Sequence, residues 1–319
     1  MRKALLALPL VLALAACGSG GDGDAARHVT LTLDWTPNPD HVGFYYARDT
    51  GRFSKADLDV SIHAPSDPAA PLKLVAAGRS DLAVSYEQEV FFAAAKKLPV
   101  VAVAAVVSQP LNSFMSINPS IRSVADLKGR TIGITGVPAD RAALASAGLA
   151  HDVKVVNVGY NLLPALLASN VDAILGVYRN VEGIELRQRG LSPTVIPLDR
   201  AGIPTYDELV LVANSERLRS NKEYASTVQR FVDAFLLGTD EARAHPDRAL
   251  EILDKVTASK RSFLAASTPA TLELLGDGCL SEQEWARFGA WMHERGLLTK
   301  PVPASDVVTT RFLGSHCQQ

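Results

Sequence analysis

The chain has 319 residues, of which 47% are hydrophobic, and its 32 basic side chains nearly balance its 34 acidic ones. This balance argues against a nucleic-acid-binding protein and against a partner that an acidic tail would attract. The length is sufficient for two domains of ordinary size.

The N-terminal segment has the features of an export signal. Two positive charges precede an apolar run at residues 4–13, and small residues then lead to Cys17. The run is too short to span a bilayer. The sequence from Leu14 to Cys17 resembles the lipobox of bacterial lipoproteins, which implies cleavage before Cys17 and lipidation of its sulfur. An ordinary signal peptide with an incidental cysteine is the alternative.

Residues 1–17 are therefore predicted to be a lipoprotein signal peptide, and the Gly/Asp/Ala-rich residues 18–28 a flexible tether. We expect the mature protein to be lipid-anchored at the extracytoplasmic face of the cell membrane. Cys279 and Cys317 are the other two cysteines, and an exported chain favours a disulfide between them. Two free thiols are the alternative.

The first strand leads into a stiff loop. Apolar side chains alternate over residues 29–33, which predicts a strand, and two prolines stiffen the loop at residues 34–40. Asp40 is placed to cap a helix at residues 41–47. Trp35 thus lies where a strand ends and a helix begins, the position at which open α/β sheets bind ligands. A core aromatic beneath the loop is the alternative.

Strands and helices then alternate in two series. In the first, strands are predicted at residues 58–62, 82–86 and 99–107, and helices at 71–78 and 87–97. After a change of pattern near residues 109–117, strands are predicted at 130–134, 153–156, 172–175 and 194–197, and helices at 139–147, 162–169 and 181–189. An extended run at 208–213 precedes helices at 223–244, 247–255, 269–275 and 282–296.

This alternation predicts an α/β protein with parallel sheets. Two series followed by helices suggest that the first domain is discontinuous. We expect domain 1 to comprise residues 29–112 plus 206–319 and domain 2 residues 113–205, so that the chain passes between the domains twice.

Enzyme signatures are scarce. The sequence contains no Gly-Lys-Ser/Thr phosphate loop and no Gly-x-Ser-x-Gly elbow. Its seven histidines lack metal-ligand spacing, and it has no Cys-x-x-Cys pair. We therefore predict a binding protein without catalytic residues, metal or cofactor.

Polar and aromatic residues cluster after three predicted strands. The candidate ligand-binding residues are Trp35, Asn38 and His41 in the first cluster, Tyr86 and Glu89 in the second, and Tyr178, Asn180 and Glu182 in the third. Carboxylates at the start of the helix at 87–97 also suit its dipole, which offers a capping role for Glu89. Tyr178 and Glu182 are four residues apart and would share one face of a helix, with a solvated surface pair as the alternative.

Aromatic rings from different domains, together with a carboxylate, are suited to a flat heteroaromatic ligand. Trp and Tyr offer large rigid faces for stacking. A carboxylate can accept a hydrogen bond from an exocyclic amine or from a protonated ring nitrogen.

Several motifs together resemble one family. They are Leu33-Asp-Trp-Thr-Pro-Asn-Pro-Asp-His41, Gly51-Arg-Phe53, Leu74-Val-Ala-Ala-Gly78, the stretch from Asp81 to Val90, and Tyr178-Arg-Asn-Val-Glu-Gly183. The chain is similar, over most of residues 29–218, to substrate-binding proteins of ABC transporters for thiamine pyrimidine precursors. This branch shares its fold with the fungal hydroxymethylpyrimidine synthases.

The resemblance implies a type II periplasmic-binding fold that closes on formylaminopyrimidine or hydroxymethylpyrimidine. It implies that Trp35 and Tyr178 sandwich the pyrimidine, that Glu182 binds its amidine-like edge, and that Asn38, Tyr86 and Glu89 line the slot. The implied partners are an ABC permease and its ATPase, and we expect a monomer. Binders of riboflavin, sulfonate or nitrate are alternatives, and an exported synthase-like enzyme is a more distant one.

Two departures from the synthase branch argue against catalysis. The lysine and histidine that the synthases place in the stretch matching residues 85–89 are missing here, and residues 207–213 contain no cysteine of an iron-binding motif.

Overall fold

The computed structural model describes residues 26–314 and residue 317. The predicted signal peptide, its lipobox with Cys17, and most of the predicted tether lie outside the described residues. Within the described range, no helix combines the length and the apolar character that crossing a membrane requires.

Ten strands and thirteen α-helices make up the described part of the chain. The strands are β1 (Arg27–Thr32), β2 (Leu58–His63), β3 (Leu82–Ser85), β4 (Val100–Val107), β5 (Asn112–Ser116), β6 (Thr131–Ile134), β7 (Lys154–Asn157), β8 (Ala173–Tyr178), β9 (Thr194–Pro197) and β10 (Leu209–Asn214). The helices are α1 (Val42–Asp49), α2 (Arg52–Lys55), α3 (Ala70–Ala76), α4 (Glu87–Ala95), α5 (Pro138–Ser146), α6 (Leu162–Leu167), α7 (Glu182–Gln188), α8 (Ser215–Ser220), α9 (Lys222–Ala244), α10 (Pro246–Val256), α11 (Arg261–Leu272), α12 (Glu282–Glu294) and α13 (Ala304–Val307).

The strands form two five-stranded sheets with matching topology. The first has the order β2-β1-β3-β10-β4 and the second the order β7-β6-β8-β5-β9. In the first sheet β1 is parallel to β2 and β3, and β10 is antiparallel to β3 and β4. In the second, β6 is parallel to β7 and β8, and β5 is antiparallel to β8 and β9. The predicted α/β class is confirmed.

Each antiparallel strand belongs to the sheet that the chain has just entered. The chain leaves the first sheet after β4 and enters the second through β5, and it returns from β9 through β10. We call residues 26–107 and 209–314 the first lobe, residues 112–197 the second lobe, and residues 108–111 and 198–208 the two connecting segments. Every residue of β4 is buried, as expected of a strand covered on both faces.

Helix α1, which follows the Trp35 loop, is packed closely on the long helix α9. A Cβ atom on Gly43 would lie 2.1 Å from Oγ1 of Thr239, so this helix crossing requires glycine. Beside it the rings of Phe44 and Phe235 are stacked, with centroids 4.2 Å apart. The loop is therefore held against a rigid part of the first lobe.

Three local predictions were wrong. Asp40 does not cap α1; instead Asn38 accepts a hydrogen bond from the Asp40 N–H and caps a 3₁₀ turn at Pro39–His41. Tyr178 is the last residue of strand β8, so it does not share a helical face with Glu182. Pro269 lies inside α11, where we had placed the start of a helix.

The C-terminal end of the described chain is tied to the first lobe by a covalent bond. Cys279 and Cys317 form a disulfide, with their Cα atoms 5.1 Å apart.

Candidate ligand-binding cleft

A small cavity lies between the lobes, at the carboxyl ends of their parallel strands. Its walls come from the loop after β1, the start of α4, the turn between β6 and α5, the loop after β7 and the end of β8. Asn112 and Glu208, at the ends of the connecting segments, complete it. The cavity volume is ≈ 20 Å³, which is room for a water molecule. A heteroaromatic ligand therefore requires the lobes to separate.

Aromatic rings from both lobes face this cavity. Trp35 of the first lobe stacks on Tyr160 of the second, with ring centroids 6.0 Å apart and planes 14° apart. The Tyr178 ring meets Trp35 edge to face, at 6.5 Å and 85°. Trp35 and Tyr178 thus do not present the two parallel faces that a sandwich requires, whereas Trp35 and Tyr160 do.

Asp34 holds the Trp35 loop in place from below. Its carboxylate contacts His41 Nε2 at 2.7 Å and accepts a hydrogen bond from the Tyr86 hydroxyl at 3.0 Å. The other ring nitrogen of His41 accepts from the Asn38 N–H at 3.3 Å, so Nε2 carries the proton that is donated to Asp34. His41 and Asn38 are buried beneath the loop and do not line the cavity.

Glu182 fixes the turn that follows Tyr178. Its Oε2 accepts a hydrogen bond from the Tyr178 N–H at 2.8 Å. Burial raises the pKa of this carboxyl to about 8. Glu182 does not line the cavity; its contact orients the end of β8, from which the Tyr178 ring projects.

Two other carboxyl groups do line the cavity. Glu208 Oε2 accepts hydrogen bonds from the N–H groups of Leu111 and Asn112, both at 2.7 Å, and from the Tyr206 hydroxyl at 3.0 Å. Burial raises the pKa of Glu208 to about 7 and that of Asp140 to about 6. Of the described residues that line the cavity, none is a lysine or an arginine.

Hydrogen bonds join the lobes around the cavity. The Tyr160 hydroxyl donates to the Asp34 carbonyl at 2.9 Å, and the Ala139 N–H donates to Glu89 at 2.8 Å. Asn180 of the second lobe donates to Asp40 at 2.7 Å, and also to Thr271 of α11 at 2.9 Å.

The eight predicted residues therefore fall into three groups. Trp35, Tyr86 and Tyr178 line the cavity; Asn38, His41 and Glu182 hold its walls; Glu89 and Asn180 join the lobes. Tyr160 and Glu208 were missed. Tyr160 follows a strand at the cleft edge, which is the signal that singled out Trp35, whereas Glu208 precedes a strand and does not carry that signal.

The rest of the described chain was searched for alternative binding sites. No group of three or more His, Cys, Asp or Glu side chains among the described residues is arranged to hold a metal ion. A larger groove of ≈ 630 Å³ lies beside α8 and the segment before α13, but it shares no lining residue with the cleft.

Comparison with known proteins agrees with this architecture. The model of the NMT1/THI5-like family matches residues 38–249. A Haemophilus influenzae protein named for thiamine biosynthesis is 39% identical over 289 residues, covering 86% of this chain and 90% of its own. The formylaminopyrimidine-binding protein of Halalkalibacterium halodurans is 32% identical over 327 residues, covering 97% and 98%.

Among solved structures, the alkanesulfonate-binding protein SsuA of Xanthomonas axonopodis pv. citri superposes with a TM-score of 0.71, at 16% identity, over 88% of this chain and 98% of its own. The predicted periplasmic-binding-protein fold is thereby confirmed. The family match covers well over half of the chain and is supported by relatives above 30% identity, so this protein belongs to the NMT1/THI5-like family.

Proposed function

We propose that the chain is an extracytoplasmic solute-binding lipoprotein of an ABC importer. It captures an aminopyrimidine precursor of thiamine, of the formylaminopyrimidine or hydroxymethylpyrimidine type, between two closing domains. Domain 1 comprises residues 29–112 plus 206–319 and domain 2 residues 113–205. Lipid on Cys17 anchors the monomer to the membrane, where it delivers its ligand to a permease and its ATPase.

The observation that carries this proposal is a cleft with aromatic faces from both lobes and carboxyl groups in its wall. A flat ring that entered between Trp35 and Tyr160 would separate their planes and would stack on both. Contacts with both lobes would favour the closed arrangement over the open one, which is how a ligand shifts a hinge equilibrium. The name of the Halalkalibacterium relative supports the same ligand class.

The lining of the cleft also distinguishes between ligand classes. A sulfonate or nitrate ion is bound most strongly by a cationic side chain, and none of the described residues in the lining is a lysine or an arginine. An amine or a protonated ring nitrogen is suited to the carboxyl groups of Glu208 and Asp140. These acidic walls favour an aminopyrimidine over an anion.

Binding without turnover fits the same cleft. Residues 85–89, at the end of β3 and the start of α4, contain neither lysine nor histidine, and residues 207–213 contain no cysteine. In these two stretches the chain therefore lacks the reactive groups of the synthases that it resembles.

Calorimetric titration tests this function. The full chain, solubilised in detergent and freed of bound ligand by unfolding and refolding under non-reducing conditions, is titrated with formylaminopyrimidine, hydroxymethylpyrimidine, riboflavin and taurine. We expect a pyrimidine to bind with a Kd of about 1 μM or lower, that is, about −8 kcal/mol or better. Heat with taurine or riboflavin and none with either pyrimidine would overturn the thiamine assignment.

A pair of variants tests the location of the site. Trp35→Ala removes one stacking face, and loss of a central aromatic contact weakens binding by about 30-fold or more. Leu237→Ala removes an exposed side chain of α9 and serves as the control. Equal affinity of the two variants would place the ligand elsewhere.

A further inference from the structure

The hydrogen bonds to the carboxyl group of Glu208, in the cleft, are unevenly shared between its two oxygens. The side chain is fully buried, and its Oε2 accepts three hydrogen bonds, from the N–H groups of Leu111 and Asn112 and from the hydroxyl of Tyr206. Its Oε1 is buried as well and has no hydrogen-bond partner. A buried carboxylate oxygen without a partner is costly, so its retention calls for an explanation.

The position of Glu208 links the cavity to both connecting segments. Glu208 and Tyr206 lie at the end of the second connecting segment, and Leu111 ends the first. Oε2 therefore joins the two segments at the point where the chain passes between the lobes. Because Glu208 also lines the cavity, one side chain contacts both the hinge region and the space that a ligand would occupy.

We infer that Glu208 is the carboxylate that selects the ligand, and that its free oxygen accepts a hydrogen bond from an N–H group of the bound heterocycle. This inference rests on the proposed function and names the group that recognises the amine. Asp140 is less suited: its Oδ2 holds the turn before α5 by accepting from the Thr135 hydroxyl and the Gly136 N–H, and its Oδ1, unlike Oε1 of Glu208, is not a fully enclosed oxygen that lacks a partner. The free oxygens of Asp40 and Glu87 do not line this cavity.

Two other buried oxygens in the cleft lack a partner, Oε1 of Gln88 and the hydroxyl oxygen of Tyr178, and a hydroxyl can donate as well as accept. A primary amine has two N–H groups, so it can donate to Gln88 and to Glu208 together. Above its raised pKa of about 7 the Glu208 side chain is a carboxylate and only accepts, whereas an amide can turn over and donate. Glu208 is therefore the residue that discriminates between an amine and an acceptor group on the ligand.

The variant Glu208→Gln reverses the polarity of the oxygen that has no hydrogen-bond partner. The N–H groups of Leu111 and Asn112 and the hydroxyl of Tyr206 need an acceptor, so the amide oxygen must take the place of Oε2. The amide NH₂ then takes the place of the free Oε1. The hinge contacts are retained while the acceptor becomes a donor.

The test compares two ligands on three proteins. The ligands are 4-amino-5-hydroxymethyl-2-methylpyrimidine and its 4-methoxy counterpart, which carries an acceptor in place of the amine. The proteins are the wild-type full chain, Glu208→Gln and Glu87→Gln. Glu87 is a matched control, because it is also buried, accepts a hydrogen bond from the second connecting segment at Asp207, and has a free oxygen outside the cleft.

We expect the wild type and Glu87→Gln to prefer the amine by about 30-fold or more, because a site built for a donor rejects the analogue that lacks it. Glu208→Gln should lose this preference or reverse it. Glu208→Asp keeps the charge with a shorter reach, so it should bind more weakly and still prefer the amine; it provides the comparison if the glutamine variant fails to fold.

An unchanged preference in Glu208→Gln, or an equal loss in Glu87→Gln, would overturn the inference while leaving the proposed function in place. Failure of the wild type to bind any aminopyrimidine would overturn both.

Discussion

The hydrogen bond between Tyr160 and Asp34 allows the energy of lobe closure to be measured separately from ligand contacts. The Tyr160 hydroxyl, in the second lobe, donates to the Asp34 carbonyl, in the first, at 2.9 Å. When the lobes part, water solvates both groups, and when the lobes close on a ligand the bond forms again, so it stabilises the ligand-bound closed state relative to the open, ligand-free one. Tyr160→Phe removes this bond and keeps the ring that stacks on Trp35.

The size of the effect follows from the net value of one neutral hydrogen bond. Such a bond contributes about 0.5–1.5 kcal/mol once exchange with water is counted. Since about 1.4 kcal/mol corresponds to a factor of ten, the Kd for a pyrimidine should rise by about two- to twelvefold, with a central value near fivefold. Titration calorimetry at one pH and one ionic strength measures this ratio.

Tyr224→Phe is the matched control. The Tyr224 hydroxyl donates to the Asp81 carbonyl at 2.6 Å and accepts from the Asn214 N–H at 3.1 Å, so both of its partners lie within the first lobe. This variant should lower the free energy of unfolding and leave the Kd unchanged. A Kd for Tyr160→Phe within about 1.5-fold of the wild type would refute the closure argument. A loss of more than about 50-fold would show that the hydroxyl binds the ligand itself, because it exceeds what one neutral bond contributes.

Two further predictions concern stability. His41→Ala leaves the buried Asp34 carboxylate with the Tyr86 hydroxyl as its one remaining side-chain donor and should lower the free energy of unfolding in urea by about 3 kcal/mol. His28→Ala affects an exposed pair with Asp59 and should change this free energy by less than about 1 kcal/mol; similar values for both variants would contradict the assigned buried contact. Glu182 is neutral when folded and ionised when unfolded between its ordinary pKa of 4.5 and its raised pKa of about 8, so its contribution is complete below that window and is lost as pH rises through it. Glu182→Gln should therefore flatten the decline of unfolding free energy between about pH 5 and 8, by roughly 1 kcal/mol per pH unit, and an unchanged slope would show that the carboxyl is solvated.

Periodicity predicted the regular elements well because their burial is simple. Strand β4 is covered on both faces and has an uninterrupted apolar sequence, whereas in β1 Val29 and Leu31 are buried and Thr30 between them is only half-buried. The same reasoning placed Trp35 at the end of β1, which the structure bears out.

Helix α11 was misplaced because its stability depends on contacts distant in sequence. Its sequence before Pro269 is rich in serine and threonine, which resembles a loop. In the structure Ser267 donates to the Asn180 carbonyl, and Thr271 accepts from the Asn180 side chain. These polar residues are buried against the second lobe, and tertiary packing overrides the local propensity.

The roles of the carboxyl groups could not be predicted from the sequence, for a different reason. Glu89, Glu182 and Glu208 all follow or precede strands, and periodicity cannot tell which of them faces a cavity. Their roles depend on which backbone N–H groups lie opposite them: Ala139 for Glu89, Tyr178 for Glu182, and Leu111 with Asn112 for Glu208. Only the arrangement of the two lobes determines those partners.

A carboxylate that binds ligand from the hinge has a consequence for how selectivity and closure are related. Asp140 and any single aromatic ring belong to one lobe, so a ligand can contact the groups of that lobe while the cleft is open. Glu208 is fixed to both connecting segments, and its free oxygen lies where the lobes meet. A ligand that lacks a donor would leave this buried oxygen without a partner as the cleft closes, and the cost would fall on the closed state. Such a ligand would still stack on Trp35, but it would close the lobes less completely. A permease that recognises the closed binding protein would then select against this ligand a second time.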